Sequence, residues 1–460
     1  MLERSLIKAL GPLIGEHNLL TEQADCWPYG YDNSRRHAPP DAVVFGTDHG
    51  QILELIRFCN HHRIALTPRG RGTGTTGATV PVQGGIVLTM ERMDRIKALD
   101  PANRIMIVEP GVTNQAAQEF AGEQGFFWPP DPTSAAYCSI GGNLAYNSAG
   151  PRAIKYGTPR ENTLALRAIT GAGEEIKTGV QTSKGVVGLD LTRLLIGSEG
   201  ILAVITEATL KLTPLPQSKR TLQAIYVDVE SAARAVSSIM AQPMAPYALE
   251  FMDGQAMEMI RGYTQADLPA GAGALLMIEV DGAEACIEAA ARTVAKAAQV
   301  SGCLRIVTAD SEREVNELWA TRKALSPALR NVAPNKINED VVVPVSRMAE
   351  LIGGLQTLSR SYDIPIVNFG HAGNGNIHVN LLVDTEYEAQ MQAAERCLDE
   401  VFSLVLKLQG TLSGEHGIGL VKRDFVSREI DPQTLELMRA IKRQFDPNGI
   451  LNPGKVFPPV

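Results

Sequence analysis

Short apolar runs alternate with stretches of helical periodicity over the first 216 residues. A helix with one apolar face is predicted at Gln51–His62, and hairpins are predicted over Lys97–Glu109 and around Gly171–Gly173. Apolar runs typical of buried strands lie at Ala42–Phe45, Ile64–Thr67 and Gly85–Met90. This mixture predicts an α+β unit that ends near residue 216.

The pattern changes after Leu215, where longer helices alternate with strands. Strands are predicted at Leu222–Val227, Tyr247–Phe251 and Ala274–Val280, and the clearest helices at Glu284–Gln299 and Glu388–Leu408. A final helix begins at Asp431–Pro432, an N-cap followed by a proline, and turn residues follow it. We therefore expect an α+β chain with one domain over residues 1–216, a second over 217–420, and a segment over 421–460 that returns to the first.

Composition narrows the class of protein. The 460 residues are 44% hydrophobic and 20% charged, which allows a sizeable core. The 43 basic and 51 acidic residues give a net charge of −8, which argues against a nucleic-acid partner and an anionic membrane surface. The N-terminus predicts an amphipathic helix rather than a signal peptide, and no apolar run is long enough to span a bilayer, so a cytoplasmic protein is expected.

Six scattered cysteines contain no C-x-x-C pair. This spacing encodes neither an iron–sulfur cluster nor a thiolate zinc site. Any redox chemistry in this chain therefore needs a bound cofactor.

The first glycine cluster is PRGRGTGTTG, residues 68–77, directly after a predicted strand. Alternating glycines allow consecutive N–H groups to turn toward one concave site, which suits a phosphate, and Arg69 and Arg71 add positive charge. The alternative is a surface loop that needs unusual backbone angles. The sequence alone leaves both open.

Two more clusters follow. SIGGNLAYNSAG, residues 139–150, places Gly-Gly-Asn at the start of a short helix, between PPDPTS and KYG. GSEGILAVITEATL, beginning at Gly197, carries Glu199 between glycines. Three such loops suggest a long ligand with several polar groups, such as a dinucleotide.

Histidines in the last 90 residues carry the candidate chemistry. GHAGNGNIHVN contains His371 and His378, and SGEHGIG contains Glu415 and His416. Two imidazoles and one carboxylate form a three-ligand set for a divalent metal, with His416 left as a base. Asn380 shares a strand face with His378. The alternative is that turn glycines lie beside hydrogen-bonded histidines of no chemical role.

The three glycine loops, taken together and in this order, resemble the FAD-binding domain of the vanillyl-alcohol oxidase superfamily over residues 39–216. The chain departs from the family pattern at Arg71 and Ile201. No histidine lies between His62 and His371, so the resemblance implies non-covalent FAD. The cofactor-binding residues it implies are Arg69, Gly70, Arg71, Gly72, Thr73, Gly74, Thr76, Gly77, Pro132, Ser139, Gly141, Gly142, Asn143, Asn147, Ala149, Gly150, Tyr156, Gly157, Glu199, Gly200 and Ile205. The match of the C-terminal half to its own family, at LNPGK, adds Asn452.

The remaining half, residues 217–460, resembles the ferredoxin-like antiparallel-sheet cap of the flavin-dependent D-2-hydroxyacid dehydrogenases. The resemblance implies that His371, His378 and Glu415 bind a divalent metal, zinc first and iron or manganese as alternatives, and that His416 is the catalytic base. It also implies substrate contacts from Arg322, Ser326, Lys336 and Asn380. Ser326 stands where threonine is common in the hydroxyglutarate branch.

The function implied is oxidation of a D-2-hydroxy acid to the 2-oxo acid, with hydride transfer to flavin N5 and D-lactate ahead of D-2-hydroxyglutarate. Electrons would pass to electron-transfer flavoprotein, a cytochrome or a quinone, and docking at the inner membrane through that acceptor and a homodimer both stay open. The flavin subunit of a multi-subunit glycolate oxidase is an alternative within the same fold. A flavin-binding module without activity and a metal-free oxidase of phenols or alcohols are the alternatives of other classes.

Overall fold

The computed structural model describes residues 2–261, 268–323, 325, 328–329 and 333–459. The chain divides into two compact units. The first comprises Met1–Gly150, Gly157–Leu215 and Glu415–Val460, and the second comprises Pro151–Tyr156 and Pro216–Gly414.

This division differs from the predicted boundaries in two places. The second unit ends at Gly414 rather than at residue 420, because the following segment is bonded to the first unit: the Leu420 N–H donates to the Thr76 carbonyl at 2.7 Å. The excursion at 151–156 was not predicted. It belongs to the second unit because Lys155 and Tyr156 both bond to the buried carboxylate of Asp281.

The first sheet of the first unit has four strands in the order β1-β2-β4-β3. They are β1 (Leu19–Leu20), β2 (Ala42–Phe45), β3 (Leu66–Arg69) and β4 (Ile86–Thr89), with β4 parallel to both β2 and β3. Helices lie at Arg4–Ile14, Gln23–Cys26 and His49–His62. The last begins where the Asp48 carboxylate accepts a hydrogen bond from the Gln51 N–H, and its apolar face packs into the core.

A second, antiparallel sheet of this unit has the order β5-β6-β10-β8-β9. Its strands are β5 (Ile96–Asp100), β6 (Ile105–Val108), β8 (Thr163–Thr170), β9 (Glu175–Gly179) and β10 (Ala203–Lys211), and a separate pair joins β7 (Phe126–Phe127) to β11 (Thr213–Pro214). Its helices are Asn114–Gly122, Ile140–Tyr146 and Leu191–Leu195. Both predicted hairpins are therefore present.

The C-terminal segment returns to the first unit. It forms helices at Val426–Glu429 and Pro432–Phe445, the second capped by the Asp431 carboxylate. Leu451 then bridges to Leu66 of β3, so the chain ends beside the strand that leads into the first glycine loop.

The second unit is built on one seven-stranded antiparallel sheet in the order β15-β12-β14-β13-β17-β18-β16. The strands are β12 (Ser218–Tyr226), β13 (Ala248–Asp253), β14 (Ala274–Gly282), β15 (Cys303–Thr308), β16 (Asn335–Val342), β17 (Ile366–His371) and β18 (Asn376–Val383). Its helices are Ala153–Tyr156, Val229–Met240, Gly254–Ile260, Glu284–Ala298, Glu312–Lys323, Met348–Tyr362 and Glu388–Lys407.

Strand register collects the polar residues of this sheet on one face. Glu250 pairs with His371 across β13 and β17, and His378 pairs with Phe369 on one side and with Asp340 on the other. Residues paired across a ladder point to the same face of a sheet. The face that carries these side chains is the site of the second unit.

All six cysteines are free thiols. In the part of the chain that the structure describes, no helix combines the length and the apolar character that crossing a bilayer requires.

Candidate active site

The three glycine loops of the first unit meet one another. A Cβ placed on Gly70 would lie 2.5 Å from the Ser139 Oγ, so this glycine allows the first loop to touch the second. The Gly197 N–H donates to the Leu144 carbonyl at 2.8 Å, and the Glu199 N–H to the Ala145 carbonyl at 2.9 Å, which joins the third loop to the second. The predicted cofactor loops thus form one continuous region.

The backbone of these loops has the geometry that a phosphate cradle needs. Gly72 and Gly77 have φ angles of 67° and 81°, and Gly150 of the second loop has 73°. A Cβ on Gly141 would lie 2.6 Å from Pro110, so the start of helix Ile140–Tyr146 packs without side-chain bulk. Loops that expose backbone donors and exclude side chains are suited to the diphosphate of a dinucleotide.

Several residues predicted to contact the cofactor make internal contacts. The Arg69 guanidinium donates to the Tyr31 carbonyl at 2.7 Å, and Gly72 leaves the space that it fills. Asn143 accepts a hydrogen bond from Asn114 at 3.0 Å, and the Asn147 Oδ1 accepts one from Thr158 at 2.9 Å. These side chains shape the loops, and their direct contact with FAD stays a prediction.

Glu199 is the buried centre of the first unit's polar network. Its carboxylate accepts hydrogen bonds from the N–H groups of Ile418 at 2.7 Å and Gly419 at 2.8 Å. Burial raises the pKa of Glu199 to about 7, although these two bonds and the nearby Lys422 and Lys455 oppose the shift. Glu199 therefore holds the loop that follows His416, a contact that the predicted place on the adenosine side did not include.

The C-terminal residues close this network. Asn452 donates from its amide to the Glu199 carbonyl at 2.6 Å, and the Lys455 ammonium donates to the Asn452 Oδ1 at 2.8 Å. Burial lowers the pKa of Lys455 to about 7. The LNPGK segment thus lies in the same region as the third glycine loop.

Glu415 and His416 begin the last segment of the first unit. The Glu415 carboxylate accepts hydrogen bonds from the N–H groups of Ala149 at 3.3 Å and Gly150 at 2.8 Å. The Thr76 hydroxyl donates to the His416 carbonyl at 3.3 Å. The Glu415 side chain is therefore bonded to the second glycine loop, and the backbone of the predicted base His416 is bonded to the first.

In the second unit, His371 and His378 form a buried pair. Their ring centroids are 5.4 Å apart, their planes are almost perpendicular at 84°, and a nitrogen of each ring lies within 4.8 Å of one on the other. The side chains are 6% and 8% exposed. Two imidazoles at this separation suit a shared divalent metal.

A carboxylate supports this pair from the neighbouring strand. The Glu250 Oε1 lies 2.5 Å from the His371 Nδ1, and the Arg322 Nε donates to the Glu250 Oε2 at 3.3 Å. The Arg322 guanidinium also lies 4.6 Å from the centre of the Phe369 ring. Burial would raise the pKa of Glu250, but His371, Arg322 and His378 outweigh it, so the pKa falls below its usual value.

Asp340 of β16 binds the segment at which the second unit ends. Its carboxylate accepts hydrogen bonds from the Ser413 hydroxyl at 3.1 Å and the Gly414 N–H at 2.7 Å. Asp340 is the strand partner of His378, and Gly414 is joined by a peptide bond to Glu415.

The other predicted substrate residues differ in their placement. The Asn380 amide donates to the carbonyls of Val367 and His378 at 3.1 Å each, and its Oδ1 accepts from Asn338 at 2.6 Å, so this side chain is used within the sheet. Lys336 lies on β16 on the face of His378 by strand alternation. Ser326 lies outside the described residues.

The remaining predicted cofactor residues are dispersed. The Tyr156 hydroxyl donates to Asp281 at 2.6 Å in the second unit, while Ile205 lies within β10 of the first. Arg71 is exposed. Their contact with FAD stays a prediction.

Sequence reasoning missed Glu250 and Asp340. The sequence did indicate Glu250, because it is a carboxylate inside the otherwise apolar run ALEFM. The structure buries all five residues of this run. A buried carboxylate requires charged or hydrogen-bonding partners, which the run itself does not supply. Asp340 had no comparable signal, because its partners lie more than 70 residues away.

Two family models match this chain. Residues 215–456 match the family model "FAD linked oxidases, C-terminal domain", and residues 40–179 match "FAD binding domain". The chain belongs to the FAD-linked oxidase family. The first unit therefore contains an FAD-binding domain, and the glycine loops within residues 68–150 lie in the matched range.

Three relatives of this FAD-linked oxidase match most of its length. The glycolate oxidase subunit GlcD of Bacillus subtilis (strain 168) is 36% identical over 99% of this chain and 97% of its own. A D-lactate dehydrogenase of Anaerostipes hadrus is 34% identical over 91% and 90%. A D-2-hydroxyglutarate dehydrogenase of Stutzerimonas stutzeri (strain A1501) is 31% identical over 99% and 100%.

The fold of this FAD-linked oxidase is of the vanillyl-alcohol oxidase type, as the sequence predicted. The crystal structure of p-cresol methylhydroxylase with substrate bound aligns with a TM-score of 0.82, covering 99% of this chain and 96% of that one at 19% identity. At that identity the similarity establishes the fold alone.

Proposed function

We propose that this FAD-linked oxidase oxidises a D-2-hydroxy acid to the 2-oxo acid, with D-lactate as the favoured substrate, non-covalent FAD as the hydride acceptor and a divalent metal in the site. The observation that carries this proposal is the buried His371–His378 pair, because the chemistry of a metal-free flavin oxidase does not call for two imidazoles so close together. Zinc is favoured over iron and manganese, since it readily accepts two imidazoles and one carboxylate.

The proposed ligands are His371, His378 and Glu415. The two histidines are close enough for one ion, and Glu415 follows Gly414, which Asp340 fixes beside His378. When bound, the metal would lower the pKa of the substrate hydroxyl and FAD would take up the C2 hydrogen as hydride.

His416 is the proposed base. A ring nitrogen of His416 accepts the hydroxyl proton as the carbonyl forms, so the proton and the hydride together account for the two hydrogens lost from the acid. The backbone is held at His416, by Thr76 at its carbonyl, and after it, by Glu199 at the Ile418 N–H. A fixed backbone keeps the base in one place through the reaction.

Arg322 is proposed to bind the substrate carboxylate. Its guanidinium also forms an ion pair with Glu250, so the substrate carboxylate would share this cation with a buried protein carboxylate. D-2-Hydroxyglutarate is the second candidate, because Lys336 supplies another cation position on the same sheet face.

A third candidate is the flavin subunit of a multi-subunit glycolate oxidase, which the 36% identity to GlcD over nearly the whole chain supports. Electrons then leave the reduced flavin for electron-transfer flavoprotein, a cytochrome or a quinone. We propose a cytoplasmic location, with docking at the inner membrane through the electron acceptor as the alternative. A homodimer is the proposed assembly.

The test is anaerobic bleaching of the visible flavin band of the purified chain by a panel of D- and L-2-hydroxy acids. We expect D-lactate to bleach fastest and the L-acids to leave the band intact. Bleaching by L-acids alone would contradict the proposal. Bleaching by D-acids without any partner would exclude the version in which other subunits are required.

A further inference from the structure

We propose that Glu250 is a positioning residue that serves both halves of the second unit's site: one carboxylate oxygen sets the tautomer of His371, and the other fixes Arg322. This proposal rests on the proposed function in one respect: that function makes His371 a metal ligand and Arg322 a substrate-binding cation. The contacts themselves lie within the second unit: Glu250 and His371 are on neighbouring strands of one sheet, and Arg322 is on the helix Glu312–Lys323.

Strand pairing brings Glu250 and His371 together. Glu250 of β13 and His371 of β17 are direct ladder partners, so their side chains leave the same face of the sheet side by side. Both are buried, at 2% and 6% exposure, and the Oε1–Nδ1 distance is 2.5 Å. The contact is therefore set by the backbone register and is sheltered from competing water.

This contact fixes the position of a proton. A carboxylate only accepts hydrogen bonds, so a bond between Glu250 and the His371 Nδ1 requires the hydrogen on Nδ1. In the neutral ring the lone pair is then on Nε2. Metal-binding histidines are commonly held in this way by a carboxylate, which fixes both the tautomer and the orientation of the ring.

Arg322 balances the charge of Glu250. A carboxylate buried this deeply needs a cationic partner, and Arg322 supplies it through its Nε at 3.3 Å while its guanidinium stacks over Phe369. Since His371 and Arg322 contact the two oxygens of one carboxylate, the width of that carboxylate limits the distance between their side chains. Glu250 thus links the metal ligand to the substrate cation.

Replacement by glutamine discriminates this role from simple packing. The side chain introduced by Glu250→Gln has nearly the same volume, but its amide nitrogen can donate to Nδ1 and move the ring proton to Nε2. Glu250→Asp keeps a negative charge near Arg322 but shortens the side chain by about 1.5 Å, so the carboxylate no longer reaches the His371 Nδ1. The matched control is Glu279→Gln on β14, whose carboxylate accepts hydrogen bonds from the Thr221 hydroxyl and the Trp319 indole N–H.

The experiment uses the full chain with FAD bound and the metal removed by chelation. The ¹⁵N spectra of labelled histidine report the tautomer of each ring, and the His371 signals are those lost in His371→Gln. We expect hydrogen on Nδ1 of His371 in the wild type and in Glu279→Gln, and a shift toward Nε2–H in Glu250→Gln. Zn²⁺ affinity, measured against a competing chelator, should fall about 10- to 100-fold in Glu250→Gln, with unchanged FAD content.

Two results would overturn the proposal: hydrogen on Nε2 of His371 in the wild type, or wild-type Zn²⁺ affinity and tautomer in Glu250→Gln. If Glu250→Gln does not fold, the wild-type spectrum still decides. Failure of the proposed function is a separate outcome, seen as a flavin that no D-2-hydroxy acid reduces while the tautomer of His371 is still Nδ1–H.

Discussion

The Glu199 carboxylate accepts a hydrogen bond of 2.8 Å from the N–H of Gly419, three residues after His416. Its second oxygen accepts a bond of 2.7 Å from Ile418. The loop that carries the proposed base is therefore fastened to the third glycine loop within one unit. These two bonds explain why Glu199 is a buried acid, a structural role beyond the cofactor contact that the sequence suggested.

The pKa of Glu199 makes a prediction about stability. Because burial raises this pKa from 4.5 to about 7, the folded chain binds more protons than the unfolded chain between these pH values. Stability should then fall as pH rises from about 4.5 to about 7, by as much as about 3 kcal/mol from this group. Glu199→Gln should remove that slope, which chemical unfolding of both proteins at pH 5 and pH 7.5 measures. Parallel pH profiles for the two would refute the assignment.

His416→Ala should keep FAD and lose flavin reduction. Removal of a general base typically lowers the rate by about 10²- to 10⁴-fold, while the backbone contacts of this segment do not depend on the imidazole. Stopped-flow bleaching by D-lactate gives the rate, and the flavin spectrum gives the FAD content. His61→Ala, an exposed histidine of the first unit, is the control and should behave as wild type. Wild-type bleaching in His416→Ala would favour an oxidase that needs no base here.

Gly70→Ala should weaken FAD binding. The new methyl group would lie 2.5 Å from the Ser139 Oγ, so the first and second loops must separate. Overpacking of this kind costs about 1–3 kcal/mol, which corresponds to an increase of roughly 5- to 150-fold in the FAD dissociation constant if the cost falls on the bound conformation. Gly122→Ala, where a Cβ meets nothing within 4 Å, is the control for titration of the apo-protein with FAD. Equal affinities in the two variants would remove Gly70 from the cradle.

Arg322→Lys should raise the KM for D-lactate more than it lowers kcat. A lysine cannot reproduce the planar fork that grips a carboxylate, and loss of such a charged hydrogen bond costs about 1.5–3 kcal/mol, or roughly 10- to 100-fold. Steady-state kinetics with a dye acceptor measures both constants. Lys219→Arg, on strand β12, which is separated from β13 by β14, provides the control. An unchanged KM would show that another cation binds the carboxylate.

Local patterns predicted most of the elements. Strand β2 occupies the predicted residues Ala42–Phe45, and the helix Glu284–Ala298 ends one residue before its predicted end. These elements were predictable because the apolar run of the strand and the helical periodicity of Glu284–Ala298 are local properties of the sequence.

Long-range pairing was not predictable. The site face of the second unit depends on Glu250 lying opposite His371, a register that joins residues 121 apart. A single sequence shows the apolar run that makes β13 a strand, but no local property selects its neighbour. The excursion at 151–156 was missed for the same reason, because its anchor, Asp281, lies more than 120 residues along the chain.

The most direct test of the central claim is anaerobic bleaching of the flavin band by D-lactate in three preparations: the Zn²⁺-loaded chain, the same chain after chelation, and His378→Ala. We expect rapid bleaching in the first, little in the second with recovery when Zn²⁺ is restored, and little in the third despite normal FAD content. Equal bleaching rates in all three would contradict a metal-dependent D-2-hydroxyacid dehydrogenase.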